Sequence, residues 1–410
     1  MEPKNDTIVK PKKYRFVIGL LLILISFSAG LVFLNISPIT PYIMEDYQVS
    51  RGTVGLLIGC ILLFSALSSI PFSLLVGRIK PNVLVLVFIL GMSIPILSAW
   101  TPNFTILLIL RICFGISVGG LFPTIAPILM SWFPKNELPL MNGVQISAVS
   151  GGIAVSFLFG EPLTNKIGWG NTLTLFSSMS LVSAFLWLLL SREPNAITKS
   201  NLSFAEIKEV FHSKFTLLLA LADAGPLIQY VALSAWLPTY YYEVHGMALT
   251  DGSSKTAVLP ICGLLIVLAG GFLSLKFHRR KPFLFASGVI LGIGGFSSVV
   301  FAESSFLIPI LIIYGVGAWL YTPFHATIPM EGEGSNPEKA AAITACIFTI
   351  SGSLSFISPI FVGYIADLTG TYTYGFGLVG ILSWSLVIAT IFLPETGSSH
   401  QNLNKTTLSK

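Results

Sequence analysis

Charged side chains are scarce in this sequence. Asp, Glu, Lys and Arg together make up 10% of its 410 residues, whereas hydrophobic residues make up 53%. An ordinary soluble domain has about 25% charged residues, and it could not bury so much apolar surface. The scarcity excludes a soluble globular protein and indicates that a lipid bilayer surrounds most of the chain. The net charge of +5 does not indicate nucleic-acid binding, because the basic residues occupy particular loops.

Cysteine is also rare, and the usual motifs of enzymes are missing. Cys60, Cys113, Cys262 and Cys346 lie within apolar segments, with no metal-ligand spacing and outside any extracellular loop that a disulfide could link. The sequence has no phosphate-binding glycine loop, no His-Glu-x-x-His motif and no convincing pair of nucleophile and base. We therefore predict no enzyme activity, no metal site and no cofactor.

What the sequence does contain is about twelve apolar segments, each close to the roughly 20 residues that a membrane helix needs. The segment from Phe16 is too long for a signal peptide and has no clear cleavage site, so we interpret it as the first membrane helix. The predicted helices are 16–42, 53–76, 83–100, 104–130, 138–160, 171–190, 215–241, 256–275, 283–301, 305–329, 340–364 and 373–393.

The last six segments repeat the plan of the first six. Gly115 in the fourth segment corresponds to Gly315 in the tenth, and Glu137 corresponds to Glu338, in each case about 200 residues later. Two similar six-helix halves are what many secondary transporters use to build a site at their interface. We predict an all-α polytopic membrane protein with twelve transmembrane helices in two pseudo-symmetric six-helix bundles.

The basic residues predict the topology. With the N-terminus inside, five Lys and Arg before residue 16 and fourteen in later loops are cytoplasmic, which is 19 of the 23. The positive-inside rule then places both termini in the cytoplasm. Short loops and small terminal segments favour a prokaryotic plasma (inner) membrane.

A single longer connection divides the predicted chain. Within it, Phe204 to Phe211 has the spacing of a short amphipathic helix that lies on the membrane. The predicted domains are a cytoplasmic tail at 1–15, a bundle at 16–191, a cytoplasmic linker at 192–214, a second bundle at 215–396 and a cytoplasmic tail at 397–410.

The loops after the second and eighth helices resemble the loop signature of the major facilitator superfamily. That signature begins with Gly, carries an Asp four residues later, and continues with basic residues around a second Gly. The second-half copy retains Gly271, Lys276, Arg279 and Arg280, with Leu275 in place of the acid.

The first-half copy departs further from this signature. It retains Arg78, but Ser73 replaces the leading Gly and Gly77 replaces the Asp. The two copies therefore do not predict the inter-helix charge lock that the family forms at these loops.

The fourth and fifth helices carry the resemblance further, and it covers about residues 15 to 396. An intramembrane Arg111 precedes Gly115 by four residues, as in the family, and the sequence 132–135 matches its usual exit from that helix. Ser147 and Ala148 stand where antiporters of the family have Gly-Pro, which argues against a proton-driven drug exporter. The phrases at 131–134 and 236–240 resemble permeases of the cyanate and nitrate/nitrite type.

The resemblance implies that helices one, four, seven and ten line a central cavity. Each contains a polar residue out of place in lipid, namely Asn35, Arg111, Asp223 and His325. A charge in hydrocarbon costs at least about 2.5 kcal/mol, so such a group normally faces a cavity or a partner.

We predict that Arg111 binds the substrate, because a guanidinium suits two-point binding of a carboxylate or similar anion. The alternative is a structural Arg that is held by backbone carbonyls. Asn35, Gln145, Gln229 and Tyr321 are candidate hydrogen-bonding partners of the substrate, and otherwise they join helices to one another.

Asp223 and His325 are the candidates for proton coupling, and they lie at similar depth on two cavity helices. The alternatives are an Asp that satisfies a kink at Pro226 and a His that joins two helices. Glu161 and Asp367 occupy matched positions near the outer ends of helices five and eleven, where boundary or gating roles are expected.

The sequence thus predicts a secondary active transporter that moves a small organic or inorganic anion by alternating access, in proton-coupled uptake. One alternative is a proton-driven exporter of amphipathic compounds, and another is a transporter-like sensor that binds substrate without moving it. The expected partners are a small-molecule substrate, the bilayer and a coupling proton, and a monomer is expected.

Overall fold

The structure is a computed structural model, and it describes residues 13–75, 78–134, 137–193, 204–277, 279–331 and 337–396. Most of the two predicted tails, residues 194–203 of the predicted linker, and Gly77 of the first loop motif lie outside the described residues.

The prediction of twelve membrane helices is confirmed. The described residues form twelve spans that are long and apolar enough to cross a membrane, numbered 1 to 12 in chain order. They are Arg15–Tyr47, Arg51–Ser73, Pro81–Trp100, Phe104–Trp132, Leu140–Ile167, Trp169–Leu190, Lys214–Glu243, Leu249–Leu273, Lys281–Val300, Leu307–Glu331, Lys339–Thr369 and Thr373–Phe392.

Several spans are not single regular helices. Span 1 consists of an α-helix at Arg15–Phe33, a 3₁₀ turn at Ser37–Ile39 and a second α-helix at Thr40–Tyr47. The break coincides with Pro38 and Pro41, which lack the amide hydrogen that a continuous helix requires. Spans 3, 8, 11 and 12 are also interrupted, with elements at Pro81–Ser93, Ile94–Trp100, Leu249–Thr256, Val258–Lys276, Pro337–Ser355, Ile357–Thr369, Thr373–Leu382 and Ser385–Phe392.

The spans pack as two similar halves. In the first half span 1 packs against spans 5 and 6, and span 4 packs against spans 2 and 3. In the second half span 7 packs against spans 11 and 12, and span 10 packs against spans 8 and 9. The same partners therefore recur six spans later, which is the predicted pseudo-symmetry.

Spans 2 and 11 form one contact between the halves, and spans 5 and 8 form the equivalent contact. Glycine lets spans 2 and 11 approach closely. A methyl group at Gly55 would lie 2.6 Å from the Pro359 carbonyl oxygen, and one at Gly59 would overlap the Phe356 carbonyl oxygen. Small residues allow this backbone contact in membrane bundles, where lipid supplies no hydrophobic force between helices.

The linker contains an α-helix at Phe204–His212, close to the predicted 204–211. Its Ile207 is only 6% exposed, and the Cys346 thiol of span 11 lies 3.9 Å from the Ile207 carbonyl oxygen. The helix is therefore packed against the second half of the protein, which the amphipathic pattern alone did not predict.

Two terms describe the ends of the molecule. The proximal end is where span 1 begins and span 12 ends, and the distal end is the opposite one. Because consecutive spans run in opposite directions, the proximal end also holds the linker helix.

Candidate functional site

Arg111 of span 4 is buried in the first half, with 1% of its surface exposed. Its Nε donates to the Leu57 carbonyl oxygen at 3.1 Å, and one Nη donates to the carbonyl of Val32 at 2.8 Å and to Oδ1 of Asn35 at 2.9 Å. The other Nη donates to the Phe33 carbonyl at 3.1 Å. Four of the five N–H groups of a guanidinium are thus satisfied, and every one of these partners is neutral.

The break in span 1 explains this geometry. Because the first helix ends at Phe33, carbonyl groups of its last turn have no amide hydrogen from a following turn. Arg111 supplies N–H groups to two of them, those of Val32 and Phe33. The Arg and the break therefore stabilise each other, and the Asn35 amide nitrogen is buried there without a hydrogen bond.

Gln145 of span 5 also belongs to the first half. Its Oε1 accepts a hydrogen bond from the Ser26 hydroxyl of span 1, whereas its Nε2 is buried without a partner. Gln145 therefore keeps a free donor, as Asn35 does.

The structure brings Asp223, Tyr321 and His325 together in the second half. The Tyr321 hydroxyl donates to Oδ1 of Asp223 at 2.9 Å. The His325 ring lies 6.0 Å from the Tyr321 ring, and its Nε2 donates to the Leu219 carbonyl oxygen at 3.0 Å. Asp223 thus interacts with the Tyr that we predicted for substrate binding, and His325 lies one helical turn further along span 10.

Gln229 lies apart from this cluster. Gly295 of span 9 and Gly380 of span 12 face its amide, which is fully buried. Gln229 therefore points into the packing between spans 7, 9 and 12, and both of its amide atoms have no hydrogen bond there.

Five residues retain the loop signature in the two copies, and Arg280 is the one of them that the structure buries. Its guanidinium makes an ion pair with Glu331 at 2.5 Å, and its backbone N–H donates to Glu395 at 2.6 Å. Arg78, Lys276 and Arg279 are exposed, and Gly271 is partly buried in span 8.

A charge cluster therefore does form at the second loop, although the signature acid is replaced by Leu275. Its carboxylates come from the ends of spans 10 and 12. In the first half Lys80 and Glu193 form an exposed pair at 2.6 Å, and Glu193 is the repeat equivalent of Glu395. The loop signature alone did not reveal either pair, because the carboxylates lie far away in sequence.

At the distal end, ionic contacts join the two halves. Arg51, at the start of span 2, pairs with Glu243 of span 7 at 2.8 Å and with Asp367 of span 11 at 3.3 Å. Tyr372 donates to the same Glu243 carboxylate at 2.9 Å. Burial, and next the nearby Glu243 charge, raise the pKa of Tyr372, so its hydroxyl remains a hydrogen-bond donor.

A second distal contact lies at the end of span 5. Glu161 accepts hydrogen bonds from Asn165 at 2.6 Å and from the Thr250 hydroxyl of span 8. Near the break in span 1, the Ser37 hydroxyl donates to the Ser234 carbonyl oxygen of span 7 at 2.5 Å.

The proximal end differs, because its ion pairs among the described residues each stay within one half. These pairs are Arg15–Glu137, Lys80–Glu193 and Arg280–Glu331. The distal end is thus closed.

Three polar groups that we did not predict also lie in the second half, close to the interface. The Tyr230 and Ser234 hydroxyls of span 7 and the Trp319 indole N–H of span 10 are buried without a hydrogen bond. The Tyr230 and Trp319 rings make an edge contact at 5.1 Å. The available sequence signal was weak, because an aromatic residue in an apolar helix gives no indication of which face it occupies.

Comparison with known proteins identifies the family to which this fold belongs. The family model of the Major Facilitator Superfamily matches residues 22–357, which is most of the chain. The chain belongs to the Major Facilitator Superfamily. This confirms the predicted family, and because the family and the relatives below are transporters, it also confirms that the chain is not an enzyme.

Several relatives in this superfamily cover almost the whole chain. The chain is 25% identical to the hexuronate transporter of Bacillus subtilis (strain 168), over 90% of this chain and 93% of that one. It is 24% identical to a probable sulfoacetate transporter of Cupriavidus necator, over 93% and 94% of the two chains. It is also 24% identical to a nitrite extrusion protein of B. subtilis, over 93% and 95%, which agrees with the predicted resemblance to nitrate/nitrite permeases.

A solved structure shows the same fold. A bacterial homologue of the human lysosomal transporter Spinster superimposes with a TM-score of 0.71 at 18% identity, over 94% of this chain and 95% of that one. The arrangement of twelve spans in two six-helix bundles is therefore that of the superfamily.

Proposed function

We propose that this superfamily member is a secondary transporter that moves a small organic or inorganic anion by alternating access, in proton-coupled uptake. The observation that carries the anion assignment is the Arg111 guanidinium. It is buried in the membrane, and its hydrogen-bond partners are three backbone carbonyls and one neutral amide. No carboxylate pairs with it among the described residues, so its charge is uncompensated until an anion binds.

Other donors of the first half also suit an anion. Arg111 retains one N–H, and Asn35 and Gln145 each have a buried amide nitrogen without a partner. All of these groups donate, and an anion offers acceptors only. The named substrates of the relatives, hexuronate, sulfoacetate and nitrite, are all oxygen-bearing anions.

The Asp223 cluster supplies the proposed proton site. Asp223 is a partly buried carboxylate on span 7, within hydrogen-bond distance of Tyr321 and close to His325. A carboxylate that alternates between water and a drier interior changes its affinity for protons. Coupling follows if Asp223 takes up a proton on one side and releases it on the other.

The positive-inside pattern supports a topology in which the proximal end lies on the cytoplasmic side of a plasma (inner) membrane. The distal closure then faces the outside, and the structure corresponds to a state that is closed to the exterior. Uptake requires the opposite state as well, in which the contacts of Arg51 and Glu161 are broken.

The test is thermal stabilisation of the purified protein by matched ligands. Galacturonate should stabilise and galactose should not, because the two differ mainly in the carboxylate; nitrate, nitrite and sulfoacetate extend the panel. A ligand at 100 times its Kd adds about 2.7 kcal/mol to the free energy of unfolding.

Two variants decide whether Arg111 is the anchor. Arg111→Gln should abolish the stabilisation, whereas Arg192→Gln, which removes an exposed Arg stacked on Tyr14, should leave it intact. A response only to lipophilic cations would overturn the anion assignment, make Arg111 structural and favour the exporter alternative.

A further inference from the structure

Two carboxylates lie near the distal ends of equivalent spans. Glu161, near the end of span 5, contacts the start of span 8, and Asp367, near the end of span 11, contacts the start of span 2. Spans 5 and 11 are equivalent in the repeat, and so are spans 8 and 2. Each carboxylate therefore joins its own half to the first turn of a helix in the other half.

The partners of Asp367 can only donate. Its carboxylate accepts from the backbone N–H groups of Arg51 and Gly52, at 3.2 and 2.9 Å, and from the Arg51 guanidinium at 3.3 Å. Neither an amide N–H nor a guanidinium can accept a proton from a carboxylic acid. Asp367 therefore has a cationic partner, Arg51, whose guanidinium forms an ion pair with it.

The partners of Glu161 are different. Glu161 is 4% exposed, and its partners are the Asn165 amide at 2.6 Å, the Tyr42 hydroxyl at 3.4 Å and the Thr250 hydroxyl. All three are neutral, and no Lys, Arg or His forms an ion pair with Glu161 in the part of the chain that the structure describes. A hydroxyl can donate or accept, so the Thr250 contact persists when the carboxyl carries a proton.

Other titratable groups around Glu161 are few. Span 1 presents Tyr42, and span 7 presents Tyr242, which is close enough to Tyr42 to interact with it electrostatically. At the start of span 8, Asp251 is exposed and the Lys255 amine contacts the Met247 sulfur at 3.4 Å. Span 6 presents Thr172, which contacts Thr164, and Lys166 on span 5 is exposed. The described surroundings thus offer Glu161 no compensating cation.

We propose that Glu161 is a proton-binding site that controls closure of the distal end. In the open state its Oε2 faces the distal solution and takes up a proton from it. On closure this O–H donates to Thr250 Oγ1, and the proton returns to the same solution when the ends separate. Burying an ionised carboxylate among neutral partners is costly, and protonation removes that cost.

This site differs from the proposed coupling site at Asp223. The Glu161 proton is not carried across the membrane, because in the closed state it is sealed between spans 5 and 8. It sets the ratio of closed to open molecules instead. One proton taken up on closure changes that ratio by at most tenfold per pH unit.

The experiment measures the distance between two spin labels, which are attached to cysteines introduced by Lys166→Cys and Ser305→Cys. Both positions are exposed at the distal end, and they lie in opposite halves. The four native cysteines are replaced in this protein. Distance distributions are recorded at about pH 5 and about pH 8. No substrate is present, so the result is independent of the anion assignment. The closed population should increase at least tenfold relative to the open one at the acid pH.

Glu161→Gln imitates the protonated acid, since its amide nitrogen can donate to Thr250. It should be closed at both pH values, with no pH dependence. Asp367→Asn is the matched control on the equivalent span. It should shift the population towards the open state at both pH values, while the ratio of closed to open molecules changes between the two pH values as much as in the wild type.

Thr250→Val provides a second test of the pH-dependent closure if Glu161→Gln does not yield folded protein. Without the hydroxyl that accepts the proton, the pH-dependent change should fall at least threefold. Three results would each overturn the proposal. The first is a wild-type ratio of closed to open molecules that does not vary with pH. The others are a Glu161→Gln variant that still responds to pH and an unchanged pH response in Thr250→Val.

Discussion

At the residue scale, the polar groups of this protein are distinguished by which hydrogen bonds they lack. Arg111 has almost all of its donors satisfied, whereas Asn35 and Gln145 each bury an amide nitrogen without a partner. A buried unpaired donor costs about 1–3 kcal/mol, so these amides are the positions where a ligand would recover the most free energy.

Asn35→Ala tests this interpretation. The change removes one partner of Arg111 and the unpaired amide nitrogen together, so the free energy of unfolding should change by no more than about 1–2 kcal/mol, while affinity for a stabilising anion falls about tenfold. The measurement is the anion-dependent shift of the melting temperature. An affinity equal to that of the wild type would remove Asn35 from the site.

Asp223→Asn tests the proton site. Asn cannot take up a proton, so accumulation driven by a pH gradient should fall to the level without a gradient, from about tenfold for one pH unit and one proton per substrate. Counterflow in proteoliposomes, which requires no proton movement, should remain.

Glu209→Gln is the control for that change, because it removes an exposed carboxylate from the linker helix. It should accumulate substrate like the wild type. Normal accumulation by Asp223→Asn would exclude Asp223 from the coupling mechanism.

At the element scale, the contact between spans 2 and 11 is a close approach of two backbones. It lies at Gly55 and Gly59 on one side and at the carbonyls of Phe356 and Pro359 on the other. An alternating-access protein must separate spans of opposite halves and bring them together again, and a contact made by backbone and glycine needs no side-chain rearrangement in either direction.

Gly59→Ala should therefore favour the distally open state. Its methyl group would overlap the Phe356 carbonyl oxygen, so the spans must move apart. The matched control is Gly377→Ala, in span 12, where a methyl group meets nothing within 4 Å and where Ala stabilises a helix by up to about 1 kcal/mol.

The measurement is the distance between the distal spin labels described above, together with the melting temperature. A wild-type distance distribution in Gly59→Ala would show that the contact does not limit opening.

At the scale of the whole molecule, the distal end is closed by several modest contacts rather than one strong one. The Arg51 pairs are partly exposed, and exposed pairs contribute only about 0.2–1 kcal/mol each. A closure assembled from such contacts is reversible, as a transport cycle requires, and a single substitution should shift the equilibrium without locking the protein.

The orientation of the molecule gives a further prediction. Because 19 of the 23 Lys and Arg fall on the proximal side of the predicted topology, a green fluorescent protein fused to the C-terminus should fluoresce, and alkaline phosphatase fused there should be inactive. Active phosphatase at the C-terminus would invert the topology and would make the closed distal end face the cytoplasm.

The sequence by itself determined the twelve spans, the two halves and the superfamily. Lipid has no hydrogen bonds to offer the backbone, and an apolar segment of about 20 residues has the length of a helix that satisfies its own backbone groups. The repeat is visible in the spacing of single residues such as Gly115 and Gly315. The sequence also showed which polar residues lie within the membrane, since each interrupts an apolar segment.

Only the tertiary structure decided which of those residues meet. It joined Asp223 to Tyr321 and turned Gln229 away from them, whereas the sequence of span 7 has no distinct polar face that would have indicated this. It built the charge cluster of Arg280 from carboxylates at the ends of two other spans. It also gave Asp367 a cationic neighbour and Glu161 neutral ones, because the surroundings of a buried side chain come from helices that are distant in sequence.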